Sequence, residues 1–455
     1  MFEFGRELRR LLSGEALSGA HHDGLTGGDA TLLELLDIHL LTNEARGADI
    51  AAARIGSKDR PARLLQAAAC WRELARRSGD AAALRKAAAA GEAAVSAFEA
   101  IHRQAGVTRA RAEQGLCAQL GAELFGDDGL NAAAERVLAQ AARGTGVGAA
   151  IAAAATAGID GRKALACGDV AAVTAAVAAY EAPLAALAAS GRVSALARLA
   201  VADFRAARAD LLGLAAANQR DVDLADHAVR EAKAAMAGLD PAYEPLTYAR
   251  AIAAYGSALS LKAELTADVN PAADAVDALT AALEPVTREH SPMDWARIQA
   301  ALGQALIVLG EVTDSPRAFE PAATCFERAA LVLKDQAALS LRARVAAGKA
   351  QALGRQAELT GDLAVLDAAV AAQKTELCAL RPAADPVAWA VAQLNLARLY
   401  EIRAEITGRD DGGLAAASVA LAAAFDVFAE HGHRSLTDLA CQALERLRAR
   451  QPSAS

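Results

Sequence analysis

Arg250, Arg297 and Arg344 stand 47 residues apart, and Gln304, Gln351 and Arg398 repeat the same interval. A guanidinium presents a rigid fork of donors that suits a carboxylate, so arginines returned to one face at a fixed interval could hold an acidic segment or a free chain end. A shift of two residues in the copy around Gly348 would put Arg342 in place of Arg344 and keep the row. The plainer reading of the row is a solvated or ion-paired face.

Other chemistry is thin. Gly144-Thr145-Gly146-Val147-Gly148-Ala149 superficially matches a dinucleotide fingerprint, but that motif needs a preceding strand and a βαβ unit, and alanine-rich helical sequence flanks it on both sides. It reads as a loop between helices. His21-His22 and His431-Gly432-His433 lack the cysteine or carboxylate neighbours of a metal site. Asp127-Asp128 and Asp410-Asp411 fall in turns, where an acidic residue favours the helix that follows. No catalytic residue, cofactor or metal is assigned, and the chain is read as a non-enzyme.

The elements that would carry the arginine row are helices in pairs. In Ser291–Leu333, Ser291 reads as an N-cap and Pro292 as the first helical residue, with Asp294 offsetting the helix dipole. Trp295, Ile298, Leu302, Leu306 and Leu309 then share one face, and a second helix beginning near Phe319 carries Ala322, Phe326, Ala329 and Leu333 inward. Glu264, Glu311, Glu358 and Glu405 recur every 47 residues at the ends of the first helices. A negative charge is unfavourable there, so a local partner is expected, and the four read as a ladder of contacts between repeats. Gly79-Asp80 also lies one interval before Gly126-Asp127, while the copy around Val173–Tyr180 drifts out of register.

The order Leu302-Gly303, Leu306, then Ala322, Phe326 and Ala329 resembles the tetratricopeptide repeat. That family repeats at about 34 residues; here the interval is 47, and Lys349-Ala350 replace the leucine-glycine pair in the next copy. The resemblance implies an extended relative, an all-α, right-handed α-solenoid of antiparallel helix pairs. It also implies that Arg250, Arg297 and Arg344 line the concave face, with Gln304, Gln351 and Arg398 two turns on.

Composition agrees with long, closely packed helices. Of the 455 residues, 54% are hydrophobic but only 4% aromatic, and alanine supplies the excess. A net charge of −8 argues against nucleic acid and anionic membranes as general partners. Cys70, Cys117, Cys167, Cys325, Cys378 and Cys441 are scattered singly, as in a reduced cytoplasmic protein. The longest uncharged stretch, Gly144 to Ile159, has 16 residues and is too short for a transmembrane segment. Low lysine relative to arginine points to a GC-rich bacterial source.

Four parts are expected: an amphipathic helix and flexible tether at 1–28, a capping helix at 29–60 running unbroken through Leu41, about eight pairs at 61–432, and a cap and tail at 433–455. Trp295 and Trp389 are expected to be buried between pairs. The leading function is a protein-protein interaction scaffold holding a peptide or protein segment, acidic by the arginine row, in the concave groove. A helical enzyme with its site inside the superhelix, and a membrane-surface adaptor docking through residues 1–12, are the alternatives. No oligomeric state follows from the sequence.

Overall fold

A computed structural model describes residues 31–54, 59–191, 194–333, 338–380, 382, 386–410 and 412–450. The expected amphipathic helix and tether at 1–28 lie outside these, as do His21, His22 and Asp411. Among the described residues the protein is helical with no strands, an all-α solenoid.

Two N-terminal helices, α1 (Thr31–Leu35) and α2 (Ile38–Ala53), precede the pairs. The expected single helix is broken because the Asp37 carboxylate accepts from the Leu40 amide at 2.7 Å and caps a new start. Among the described residues eight pairs come next, each a first helix and a second packed beside it, the first being the longer in all but the opening pair. The first helices are α3 (Arg60–Ser78), α5 (Gln104–Phe125), α7 (Gly146–Cys167), α10 (Ala195–Gln219), α12 (Pro245–Thr266), α14 (Pro292–Val312), α16 (Leu339–Thr360) and α18 (Pro386–Thr407). The second helices are α4 (Ala81–Ala100), α6 (Asp128–Ala142), α8 with α9 (Val170–Ala179, Glu181–Ser190), α11 (Val222–Met236), α13 (Val269–Ala282), α15 (Phe319–Ala330), α17 (Leu363–Ala379) and α19 (Gly413–Glu430), with α20 (Arg434–Arg450) closing the array. The third pair departs from the others at Pro183, which has no amide to donate to Ala179 and so splits its second helix.

One two-residue turn sets the geometry within most pairs. Its first residue is left-handed, at Gly79, Gly126, Gly168 and Gly361 but also at Arg220, Ala267 and Asp314. The next residue is an N-cap, and the carboxylates of Asp80, Asp127, Asp169, Asp221, Asp268 and Asp362 each accept from an amide of the following helix. The acidic turn residues are therefore caps.

Small residues let the helices approach. Gly303 and Gly348 both face the Phe326 ring, so this side chain, 1% exposed, fills the gap between α14 and α16. Gly144 abuts Thr108, and Gly148 abuts the Arg109 backbone, where a Cβ would stand 2.8 Å from the Arg109 Cα. The glycine run expected as a loop is thus partly one: Gly144 and Thr145 connect, while Gly146 to Ala149 form the first turn of α7, and Gly144 and Gly148 serve helix contact. Trp295 and Trp389 are half-buried rather than buried, each at the margin of an apolar cluster. Ser291 does not cap α14 through its side chain but donates to Asp294 at 2.7 Å.

Among the described residues two helical stretches, Val170–Ser190 and Gly413–Glu430, are long and apolar enough to cross a membrane by length and composition. The first is the split pair α8 and α9, and alanine supplies much of the hydropathy of both.

The solenoid closes on itself. Helix α3 packs against α14, and α5 against α16, so the first pair meets the sixth and the second meets the seventh. One apolar cluster runs from Leu33 to Leu124 and on to Met293 through Ala352, and the Ala338 amide donates to the Leu124 carbonyl. The space between the inner faces of the first helices is the lumen.

Candidate functional site

The lumen wall is built by the first helices, each bringing one face inward. Arg250, Arg297 and Arg344 each lie five residues after the starts of α12, α14 and α16, at Pro245, Pro292 and Leu339. Equal helix starts remove the need for the two-residue shift, and Arg342 instead pairs with Glu376 at 3.1 Å.

Arg250 is consumed by the fold. It donates to Asp294 at 2.6 and 3.1 Å and to Glu73 of α3 at 3.2 Å. Burial opposes ionisation of both carboxyls, but Arg250, with Arg77 and Arg76 at Glu73 and Arg297 and Arg76 at Asp294, outweighs it and holds both far below the usual carboxylate range. Arg76 pairs with Asp203 of α10 at 3.1 and 3.4 Å, and Arg72 with Glu113 of α5. These pairs link α3 to the neighbouring first helix α5 and to α10, three pairs further on.

Arg297 is less well satisfied, touching Asp294 at 3.3 Å. Burial lowers its pKa, and nearby Arg76 and Arg250 add to this against the attraction of Asp294 and Glu123. Arg344 has no carboxylate in ion-pair range among the described residues; burial lowers its pKa too, offset in part by Asp210 of α10. Arg344 and Asp210 keep water-accessible surface although protein surrounds them closely. Burial raises the Asp210 carboxyl to about 6 against the attraction of Arg344 and Arg162.

The other members of the row lie elsewhere. Gln304 is half-buried, and Gln351 bonds Glu311. Arg398 donates to Glu401 at 3.0 Å and lies 3.5 Å from both Glu358 and Glu405. It belongs to the glutamate ladder, as does Arg355, which contacts Glu311 at 3.6 Å and Glu358 at 2.6 Å. Glu264, Glu311, Glu358 and Glu405 each lie 19 residues after the start of their helix.

A cavity of about 560 Å³ opens beside Arg250, walled by α3, α5, α7, α10 and α12. Its charges are mostly neutralised by the pairs above. Arg109 is the exception: no carboxylate lies in ion-pair range among the described residues, and burial lowers its pKa against the pull of Glu113. Gln119 also faces the cavity, with a buried side-chain oxygen that has no partner. Sequence reasoning missed both: Arg109 lies 141 residues, three intervals, before Arg250, but the weak register of the early copies hid it, and Gln119 shares no interval with Gln304. Cys70 and Cys117 line or adjoin this region, but burial pushes both thiols well up, which disfavours the thiolate. Asp210 could exchange a proton near neutrality, yet among the described residues no group of histidine, cysteine and carboxylate side chains could hold a metal. His433 is held below the ordinary histidine range by burial and by His431.

No family model and no curated protein matches the sequence. Among solved structures the chain is similar to a Rap protein complexed with competence and sporulation factor, with 13% identity over 86% of this chain and 98% of that one, at a TM-score of 0.45. It is also similar to a circular tandem repeat protein with novel repeat topology and enhanced subunit contact surfaces, with 15% identity over 90% and 88% of the two chains, at a TM-score of 0.24.

Proposed function

We propose that this protein is a non-enzymatic, cytoplasmic scaffold, an extended tetratricopeptide-like array with a 47-residue unit, that takes an acidic peptide or protein segment into its lumen. The observation that carries the reading is the pair Arg297 and Arg344. Helix stability does not require either, one is weakly paired and the other has no ion-pair partner among the described residues, and both stand at the same position of successive first helices. A carboxylate placed between them would relieve the burial that lowers both pKa values, and each charge-assisted hydrogen bond would contribute about 1.5–3 kcal/mol where water is excluded. Arg109 and Gln119 supply further donors and acceptors along the cavity wall. Arg250 is excluded from ligand contact by its own ion pairs, so replacing it would test stability rather than binding.

The test is affinity capture from native cells on the full-length protein, followed by binding of the captured segment to an Arg297→Gln, Arg344→Gln double variant. The expected result is binding that weakens with salt and falls at least tenfold in the variant, with the helical circular-dichroism signal intact. Unchanged affinity moves the site out of the lumen.

A further inference from the structure

The start of α12 is an anion seat that its own N-cap residue leaves empty. Glu244 holds the N-cap position without capping α12, because its carboxylate is turned to Arg198 and to the Asp240 amide. The first turn of the helix therefore needs another acceptor. Glu34 of α1 supplies it from 212 residues away: one carboxylate oxygen accepts from the Leu246 and Thr247 amides, both at 2.9 Å, and the other from the Thr247 hydroxyl.

The same short segment is gripped through its backbone. The fully buried Arg77 guanidinium donates to the carbonyls of Leu33 and Leu36, both at 2.7 Å, and His290 Nε2 meets the Leu36 carbonyl at 3.1 Å. Leu33 and Leu36 are themselves buried, and Leu33 and Glu34 form part of the cavity wall. These are the elements of peptide recognition: a carboxylate on a helix N-terminus, donors to main-chain carbonyls and two seated leucines. The neighbouring helix α2 has its own cap in Asp37.

We propose that this seat, formed by the first turn of α12 with Arg77 and His290, is a peptide-binding site for an acidic, leucine-flanked segment of a partner, filled in cis by Leu33–Leu36. A partner segment of the pattern Leu-Glu-x-Leu displaces α1 and takes the same amides and guanidinium. This site goes beyond the lumen row and does not depend on Arg297 or Arg344.

The probe is a fluorescein-labelled peptide of residues 29–37, DATLLELLD, added to the full-length chain and to its Glu34→Lys variant, with a control peptide carrying glutamine in place of the glutamate. The variant should bind the probe at least tenfold more tightly than the unaltered chain, and the control at least tenfold more weakly than the probe. A folded variant that does not bind, or that binds both peptides alike, overturns the proposal. If the variant does not fold, hydrogen exchange on the unaltered chain decides: excess probe should speed exchange in residues 31–37 while the Leu246 and Thr247 amides stay protected, and no change in 31–37 overturns it. The two readings stay separately visible: a probe held at this seat speeds exchange in residues 31–37, whereas a probe held only by Arg297 and Arg344 leaves 31–37 unchanged.

Discussion

Two sets of arginine-carboxylate contacts occupy opposite parts of the molecule and are made from the same residue types. Around α3, α12 and α14, Glu73, Arg250 and Asp294 are 12%, 12% and 3% exposed and join helices up to 177 residues apart. Along α14, α16 and α18, Glu311, Arg355, Glu358 and Arg398 are 25–41% exposed, and the contacts between helices join neighbouring repeats. The second set arises from the repeat, because any pair returned every 47 residues meets its neighbour. The first arises from closure, which brings non-neighbouring pairs together and removes their charges from water. The difference teaches that the interval positions side chains, whereas closure decides whether they are free to act.

Breaking the buried set should have the largest effect. Asp294→Ala leaves the Arg250 guanidinium underpaired in a water-poor site and removes the acceptor of the Ser291 hydroxyl. A loss of about 3–5 kcal/mol is expected, read by denaturant unfolding, with hydrogen exchange rising first where α3 meets α12 and α14. A loss below about 1 kcal/mol would place this cluster in the same class as the exposed ladder.

Acid titration sharpens the same contrast with opposite signs. Glu73 and Asp294 have folded pKa values far below ordinary, so the unfolded chain takes up protons first as pH falls. Their contribution is complete above the unfolded carboxylate range near pH ~4 and is lost as pH drops toward their folded values. Asp210 runs the other way, its carboxyl raised from 3.8 to about 6. Its burial costs nothing below the lower value, costs progressively more as pH rises between the two, and is constant above. Asp210→Asn should therefore raise stability at pH 7 and flatten the curve between pH ~4 and ~6, while Asp294→Asn flattens it below pH ~4. Identical pH profiles for the two variants would contradict the assigned environments.

The helical pairs and the equal helix positions of the arginines and glutamates were legible because each depends on residues near in sequence and on a constant interval. The lumen pairing was not. Glu73 and Asp210 share no 47-residue interval with Arg250 and Arg344, and nothing in a repeat pattern states how tightly the superhelix winds. The same holds for Glu34, whose partner helix begins 211 residues later, at Pro245. The turn was half legible: Gly79-Asp80 and Gly126-Asp127 were visible, but Arg220 and Ala267 hide the left-handed position behind residues that rarely adopt it.

That hidden turn provides a test on common ground between the two regions. Ala267 has φ 52° at the end of α12, between the buried cluster and the ladder. A left-handed alanine costs about 1–2 kcal/mol relative to a relaxed backbone, part of which glycine returns to unfolded-state entropy. Ala267→Gly should stabilise by about 0.5–1 kcal/mol, seen as a higher denaturation midpoint with unchanged slope. Destabilisation would mean that packing, not the dihedral, holds this residue.

The smallest effect is expected in the ladder itself. Glu358→Ala removes contacts to Arg355 at 2.6 Å and Arg398 at 3.5 Å, pairs exposed enough to contribute about 0.2–1 kcal/mol. The same change removes a negative charge from the last turn of α16, where the helix dipole disfavours it by about 0.3–1 kcal/mol. The two terms oppose each other, so the net change should fall within about 0.5 kcal/mol of zero. Both are screened at 1 M salt, where the Debye length is about 3 Å, and the variant should then match its parent. A loss of several kcal/mol that survives high salt would show that the ladder, like the Glu73–Arg250–Asp294 cluster, helps hold the superhelix closed, and the distinction between repeat contacts and closure contacts would fail at that end of the molecule.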